Sequence, residues 1–100
     1  MTPKKPFGSE EELARLLKAL GTPQRLRILN VLNQNQPATA SVIARQMRPV
    51  PLQTSLLTHL RVLRECGLVK AEKVGVSLYY SVDSGKFKRV LQIFRDLGQV

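Results

Sequence analysis

The hydrophobic period of this chain changes at Gly67. Before it, leucines recur three and four residues apart: Leu13, Leu16, Leu17 and Leu20, then Leu26, Leu29 and Leu32, then Leu56, Leu60 and Leu63. After it, Leu68, Lys70 and Glu72 alternate with Val69, Ala71 and Lys73, and a second short run, "SLYYSVD", follows Gly75. A spacing of three and four places side chains on one face of a helix, and a spacing of two places them on one face of a strand. The helical spacing then returns through Phe87, Val90, Leu91, Phe94 and Leu97. These periods predict a mostly α chain with one small β-hairpin, in the order α-α-α-α-β-β-α.

Local signals set the boundaries. Ser9 followed by Glu10, Glu11 and Glu12 is a cap with acids in the first turn, which starts the first helix, and Gly21 ends it. Thr22 and Pro23 restart the chain at once as cap and first helical residue. "NQNQP" breaks that second helix. "ATASVIARQM" is a short third helix, expected to be buried through Val42, Ile43 and Met47. "RPVP" is a stiff connector, because each proline pushes the residue before it out of helical geometry. "PLQTSLLTHLRVLRECGLV" is the fourth helix, stopped at Gly67. Residues 1–8, with two prolines, two lysines and a glycine, read as a flexible basic arm, and 9–98 as one domain.

Helices three and four, joined by a short turn, make a helix-turn-helix, and a basic hairpin directly after them makes a wing. The fourth helix has an unusual outer face. Opposite Leu56, Leu60 and Leu63 stand Thr54, Thr58 and Arg61, although Glu and Lys form helices better than Thr. A helix entering the major groove of DNA needs one apolar side for its own domain. On the other side it needs short hydrogen-bonding groups and cations, without carboxylates that would meet phosphate. Thr54, Thr58 and Arg61 are therefore the first contact candidates. Gln53 can bond adenine or phosphate, and Ser55 flanks the same face. The same pattern also suits a merely solvated surface. Leu57 lies at the edge of the stripe, where partial exposure and contact with a thymine methyl compete with packing on helix three, the favoured reading. His59 lies on the other margin, where a packed, hydrogen-bonded imidazole competes with a DNA contact. Arg45 and Arg48, at the end of helix three, could clamp the DNA backbone. In the wing, Lys73 and Ser77 could reach phosphate or the minor groove, with Lys70 nearby. Tyr79 and Tyr80 must face opposite sides of their strand, one inward.

Charge supports a polyanionic partner. Sixteen Lys and Arg stand against seven Asp and Glu, a formal +9, and no acidic residue occurs between Glu12 and Glu65. Eight cations lie in that interval, Arg15, Lys18, Arg25, Arg27, Arg45, Arg48, Arg61 and Arg64, and such a one-signed region favours a polyanion; together with the helix-turn-helix pattern it points to double-stranded DNA as partner. Anionic membranes attract basic chains too, but no apolar run here is long enough to span one. No signal peptide is legible, so the expected compartment is the cytoplasm, at the nucleoid. With one His, one Cys, no glycine-rich phosphate loop and no paired carboxylates at useful spacing, the sequence offers no catalytic residue, cofactor site or metal cluster, and no enzyme is expected. Cys66, just before the helix-ending glycine, reads as a small buried hydrophobe or as a regulatory thiol.

With these motifs in place, the chain resembles the ArsR/SmtB family of bacterial winged-helix regulators. "LKALGTPQRLRILNVL" is similar to the family's opening, and "THLRVLRECGLVKAEKVGVSLYYSV" to the end of its recognition helix and its wing. The similarity runs over residues 17–82. It implies a homodimer that pairs the first and last helices and binds an inverted-repeat operator, usually as a repressor. It places Gln53, Thr54, Ser55, Thr58 and His59 in the recognition segment and Lys73 to Ser77 in the wing. The paired cysteines of the arsenic and lead sensors, the Asp and His ligands of the zinc and nickel sensors, and the second thiol of the redox sensors are not matched. "RPVPL" makes the turn longer than the family pattern, and Leu52 stands where a serine cap is usual. A protein-binding winged helix, or a regulator switched by metal or thiol through other ligands, are the alternatives.

Overall fold

The computed structural model describes residues 10–98. It contains α1 (Glu10–Leu20), α2 (Pro23–Asn35), α3 (Ala40–Arg45), α4 (Gln53–Glu65), β1 (Val69–Val74), β2 (Ser77–Val82) and α5 (Ser84–Gly98), the order that the periods predict. The arm over residues 1–8, the cap at Ser9 and the side chains of Phe94 and Leu97 lie outside the described part.

Short side chains set the helix starts. Thr22 Oγ1 accepts from the Arg25 N–H at 3.2 Å, and Thr39 Oγ1 from the Val42 N–H at 3.4 Å. Asp83 does the same for α5, its Oδ1 accepting from the Lys86 N–H at 3.0 Å. The end of α4 is a left-handed glycine cap. Gly67 has φ +83, its N–H donates to Arg64 O at 3.0 Å, and the Leu68 N–H donates to Leu63 O at 3.0 Å. Leu68 is thereby held to the helix end and buried, and the strand begins only at Val69.

β1 and β2 pair antiparallel from Val69 opposite Val82 to Val74 opposite Ser77, leaving Gly75 and Val76 as a two-residue loop. Gly75 has φ +63 and Val76 a negative φ, the arrangement of a II′ hairpin turn, which only glycine fills without strain. The free edge of β2 is covered. Ala38, between α2 and α3, exchanges two backbone hydrogen bonds with Tyr80 at 3.0 and 2.8 Å, and Gln36 Oε1 accepts from the Val82 N–H at 2.7 Å. The wing is thus fixed to the helix-turn-helix.

The core gathers Leu16, Ile28, Leu32, Ile43, Leu56, Leu60, Leu63 and Leu68, all fully buried, with Met47, Val69, Tyr80 and Val90 around them. One expectation differs. Val42 is half-buried, so α3 is held in chiefly by Ile43, with Met47 buried in the turn that follows. Leu57 is 41% exposed, at the edge of the apolar stripe, and lines a shallow depression with Tyr80 of the hairpin.

Candidate nucleic-acid interface

The geometry of α4 follows from its leucines. Leu56, Leu60 and Leu63 are at most 1% exposed, which fixes the rotation of the helix and turns Thr54, Thr58 and Arg61 outward. Gln53 and Ser55 are exposed in its first turn. Thr58 Oγ1 donates to Thr54 O at 2.9 Å. With its proton so engaged, the hydroxyl presents acceptor lone pairs and a methyl group to the outside. Arg61 Nε is 3.8 Å from Glu65 Oε1, with both side chains about 70% exposed. A pair that long and that wet is worth little, so Arg61 can leave it for a phosphate.

The flanking cations have distinct states. Arg45 is exposed. Arg48 is anchored, its Nη1 donating to Arg45 O and Met47 O at 2.8 Å each. That bond caps the carbonyl end of α3 and leaves other guanidinium N–H groups on an exposed side chain. In the wing Lys70 and Lys73 are exposed and Ser77 is half-buried. Tyr80 is the inward tyrosine; Tyr79 is half-buried on the other face. A shallow depression between α4 and the hairpin is lined by Leu57, Thr58, Arg61, Arg64 and Tyr80. Arg64 is a cation of this face that the sequence reading leaves out of its contact set, although it stands three residues beyond Arg61.

His59 belongs to the fold. It is half-buried, and its Nδ1 accepts from Arg25 Nε at 3.1 Å. Arg25 Nη1 also donates to Ala19 O at 3.4 Å, so one guanidinium ties the end of α1 and the start of α2 to the middle of α4. This turns the imidazole toward α2, away from the threonine face. Burial, and then the Arg25 charge, hold its pKa below the ordinary 6.5. Protonation would end the acceptor role. The unfolded chain binds the proton more readily, so stability is full above the ordinary value and falls as pH drops through it. Because His59 is the sole histidine of the chain, thermal unfolding at about pH 7.5 and about pH 5.5 isolates it. The parent protein is expected to lose more stability on acidification than His59→Gln; equal losses would contradict the tie.

Cys66 is half-buried, its Sγ donating to Leu63 O at 3.4 Å. Among the described residues no group of three or more His, Cys, Asp or Glu could hold a metal ion, and no helix is long and apolar enough to cross a membrane.

The helix-turn-helix domain family matches residues 20–72. An uncharacterised HTH-type transcriptional regulator of Methanocaldococcus jannaschii is 31% identical over 88 residues, covering 87% of this chain and 96% of its own. An ArsR-like transcriptional regulator from Rhodococcus sp. RHA1 superposes with TM-score 0.79 at 27% identity, over 92% of this chain and 84% of that one. The chain belongs to the ArsR/SmtB-type winged helix-turn-helix regulators. A homodimeric winged helix-turn-helix DNA-binding domain from Mycobacterium bovis, described as a possible ArsR-family transcriptional regulator, has TM-score 0.70 at 27% identity, over 89% and 80% of the two chains. In this winged helix-turn-helix fold α3 and α4 are the helix-turn-helix and the β1–β2 hairpin the wing.

Proposed function

We propose that this ArsR/SmtB-type regulator acts as a homodimeric repressor on an inverted-repeat operator, with α4 in the major groove and the wing alongside. The observation that carries the DNA reading is the outward Thr54–Thr58–Arg61 face on a helix locked by its buried leucines. Thr54, Thr58 and Gln53 serve base edges, and Ser55 flanks them. Arg61, Arg45, Arg48 and Lys73 serve phosphate, and Ser77 supports the wing. His59 acts through Arg25 on the position of α4.

Pairing through α1 and α5 is supported by exposed apolar side chains on those helices, Leu17 and Leu91. Beside them a groove between α2 and α5 is lined by Leu20, Leu26, Phe87 and Val90. Two copies related by a two-fold axis would set their recognition helices about 34 Å apart, in successive major grooves. A dimer seated across that span excludes other proteins from the same DNA, which is sufficient for repression.

Selection of bound sequences from random DNA tests the reading in one step. Enrichment of a two-fold symmetric site with half-sites one helical turn apart is expected. No enrichment, together with no retarded band at low salt, would defeat it. Arg61→Ala is expected to weaken binding to all sequences alike and to lower the slope of log affinity against log salt by about one. An unchanged affinity would remove Arg61 from the contact set.

A further inference from the structure

We propose that Leu52, at the mouth of the recognition helix, reads the methyl group of a thymine in the major groove. The inference rests on the DNA-binding reading and adds a base preference to it. Leu52 is 77% exposed, the most exposed leucine among the described residues. It occupies the N-cap position of α4 with extended backbone, φ −63 and ψ 142, and makes no side-chain cap hydrogen bond. Among the described residues it has no cap hydrogen bond and no place in the core. At a cap, leucine forgoes the hydrogen bond that Ser, Thr, Asp or Asn would supply, and here it also keeps its side chain in water.

Its surroundings point to one partner. Gln53 and Thr54 follow it on the helix, and Arg45, the last residue of α3, and Arg48, in the connector, precede it, all exposed. These cations favour phosphate close to the segment that leads into α4. The first residues of a recognition helix are those that meet base edges. A leucine can neither donate nor accept, and the one apolar group that a base pair shows in the major groove is the thymine C5-methyl. Thr54 and Gln53 would then fix the register while Leu52 discriminates at the neighbouring pair.

The test uses the full chain and its selected operator, with each thymine replaced in turn by deoxyuridine, which removes the methyl and nothing else. One thymine in each half-site is expected to respond, its uracil form binding about fourfold more weakly, the effect of one buried methyl. The Leu52→Ser variant is expected to bind thymine and uracil operators equally at that position while melting at a higher temperature, because serine restores the cap. Discrimination retained in Leu52→Ser would overturn the proposal. So would operator binding by the parent protein that is indifferent to every uracil. If the parent retards no sequence at all, the DNA-binding reading fails and takes this inference with it.

Discussion

Leu60→Ala is expected to remove about 3 kcal/mol or more of folding stability, a loss typical of a leucine deleted from a close-packed core. Leu60 is 0% exposed and stands in the cluster that joins α4 to α1, α2, α3 and the hairpin. The loss has two parts, the transfer of the missing side chain and the void that its neighbours cannot close. A domain of this size holds only about 5–15 kcal/mol in total. For about 100 residues each kcal/mol shifts the midpoint by roughly 4–8 °C, so a fall of at least about 12 °C is expected in thermal unfolding. Protein concentration must be fixed in that comparison, because self-association would stabilise the folded chain by mass action. Leu57→Ala, three residues earlier on the same helix but 41% exposed, is the internal control and should cost about 1 kcal/mol or less. DNA binding should fail for Leu60→Ala at temperatures where Leu57→Ala remains folded, since the same rod carries the outward face. If the two variants melted together, α4 would have to be rotated about its axis, with Leu57 and Leu60 equally buried.

What the sequence made legible has a common cause: each such feature is local in the chain. Gly67 and Gly75 stand where the backbone needs positive φ, so residue type alone places the end of α4 and the hairpin turn. The leucine spacing of α4 determined which of its side chains go inward. What remained hidden depends on contacts between distant segments. The Arg25–His59 bond spans 34 residues, and no period announces it. The bridge from Ala38 to Tyr80 ties the wing to the α2–α3 turn through backbone atoms alone, which leave no mark on residue choice. A helical wheel gives Leu57 an angle and no neighbour; that it lines a shallow depression with Arg61 and Tyr80 follows only from the fold. Leu52 was visible only as a missing serine, and its exposure required the fold.

Thr58→Glu should separate folding from recognition, moving the two in different directions. Glutamate forms helices better than threonine, by a few tenths of a kcal/mol. At position 58 it would also stand three residues before Arg61, a spacing at which opposite charges attract on a helix. The hydrogen bond from Thr58 Oγ1 to Thr54 O would be lost, but it lies on the exposed side and competes with the solvated backbone. Stability should therefore stay within about 0.5 kcal/mol of the parent. Binding should not. A carboxylate placed in the major groove lies between two phosphate rows and against the acceptors of guanine and thymine, and it gives up its own hydration there. Like-charge contact of this kind costs several kcal/mol; taking about 3 kcal/mol, affinity should fall roughly a hundredfold. Gln24→Glu, at an exposed position in the first turn of α2, lowers the net charge of the chain by the same amount and serves as the comparison. It should bind nearly as well as the parent at moderate salt, where only nearby charges are felt. Equal losses in the two variants would mean that bulk charge alone draws the protein to DNA. No loss in Thr58→Glu would mean that the threonine face of α4 is only a solvated surface, and that the basis for placing this helix in the groove is gone.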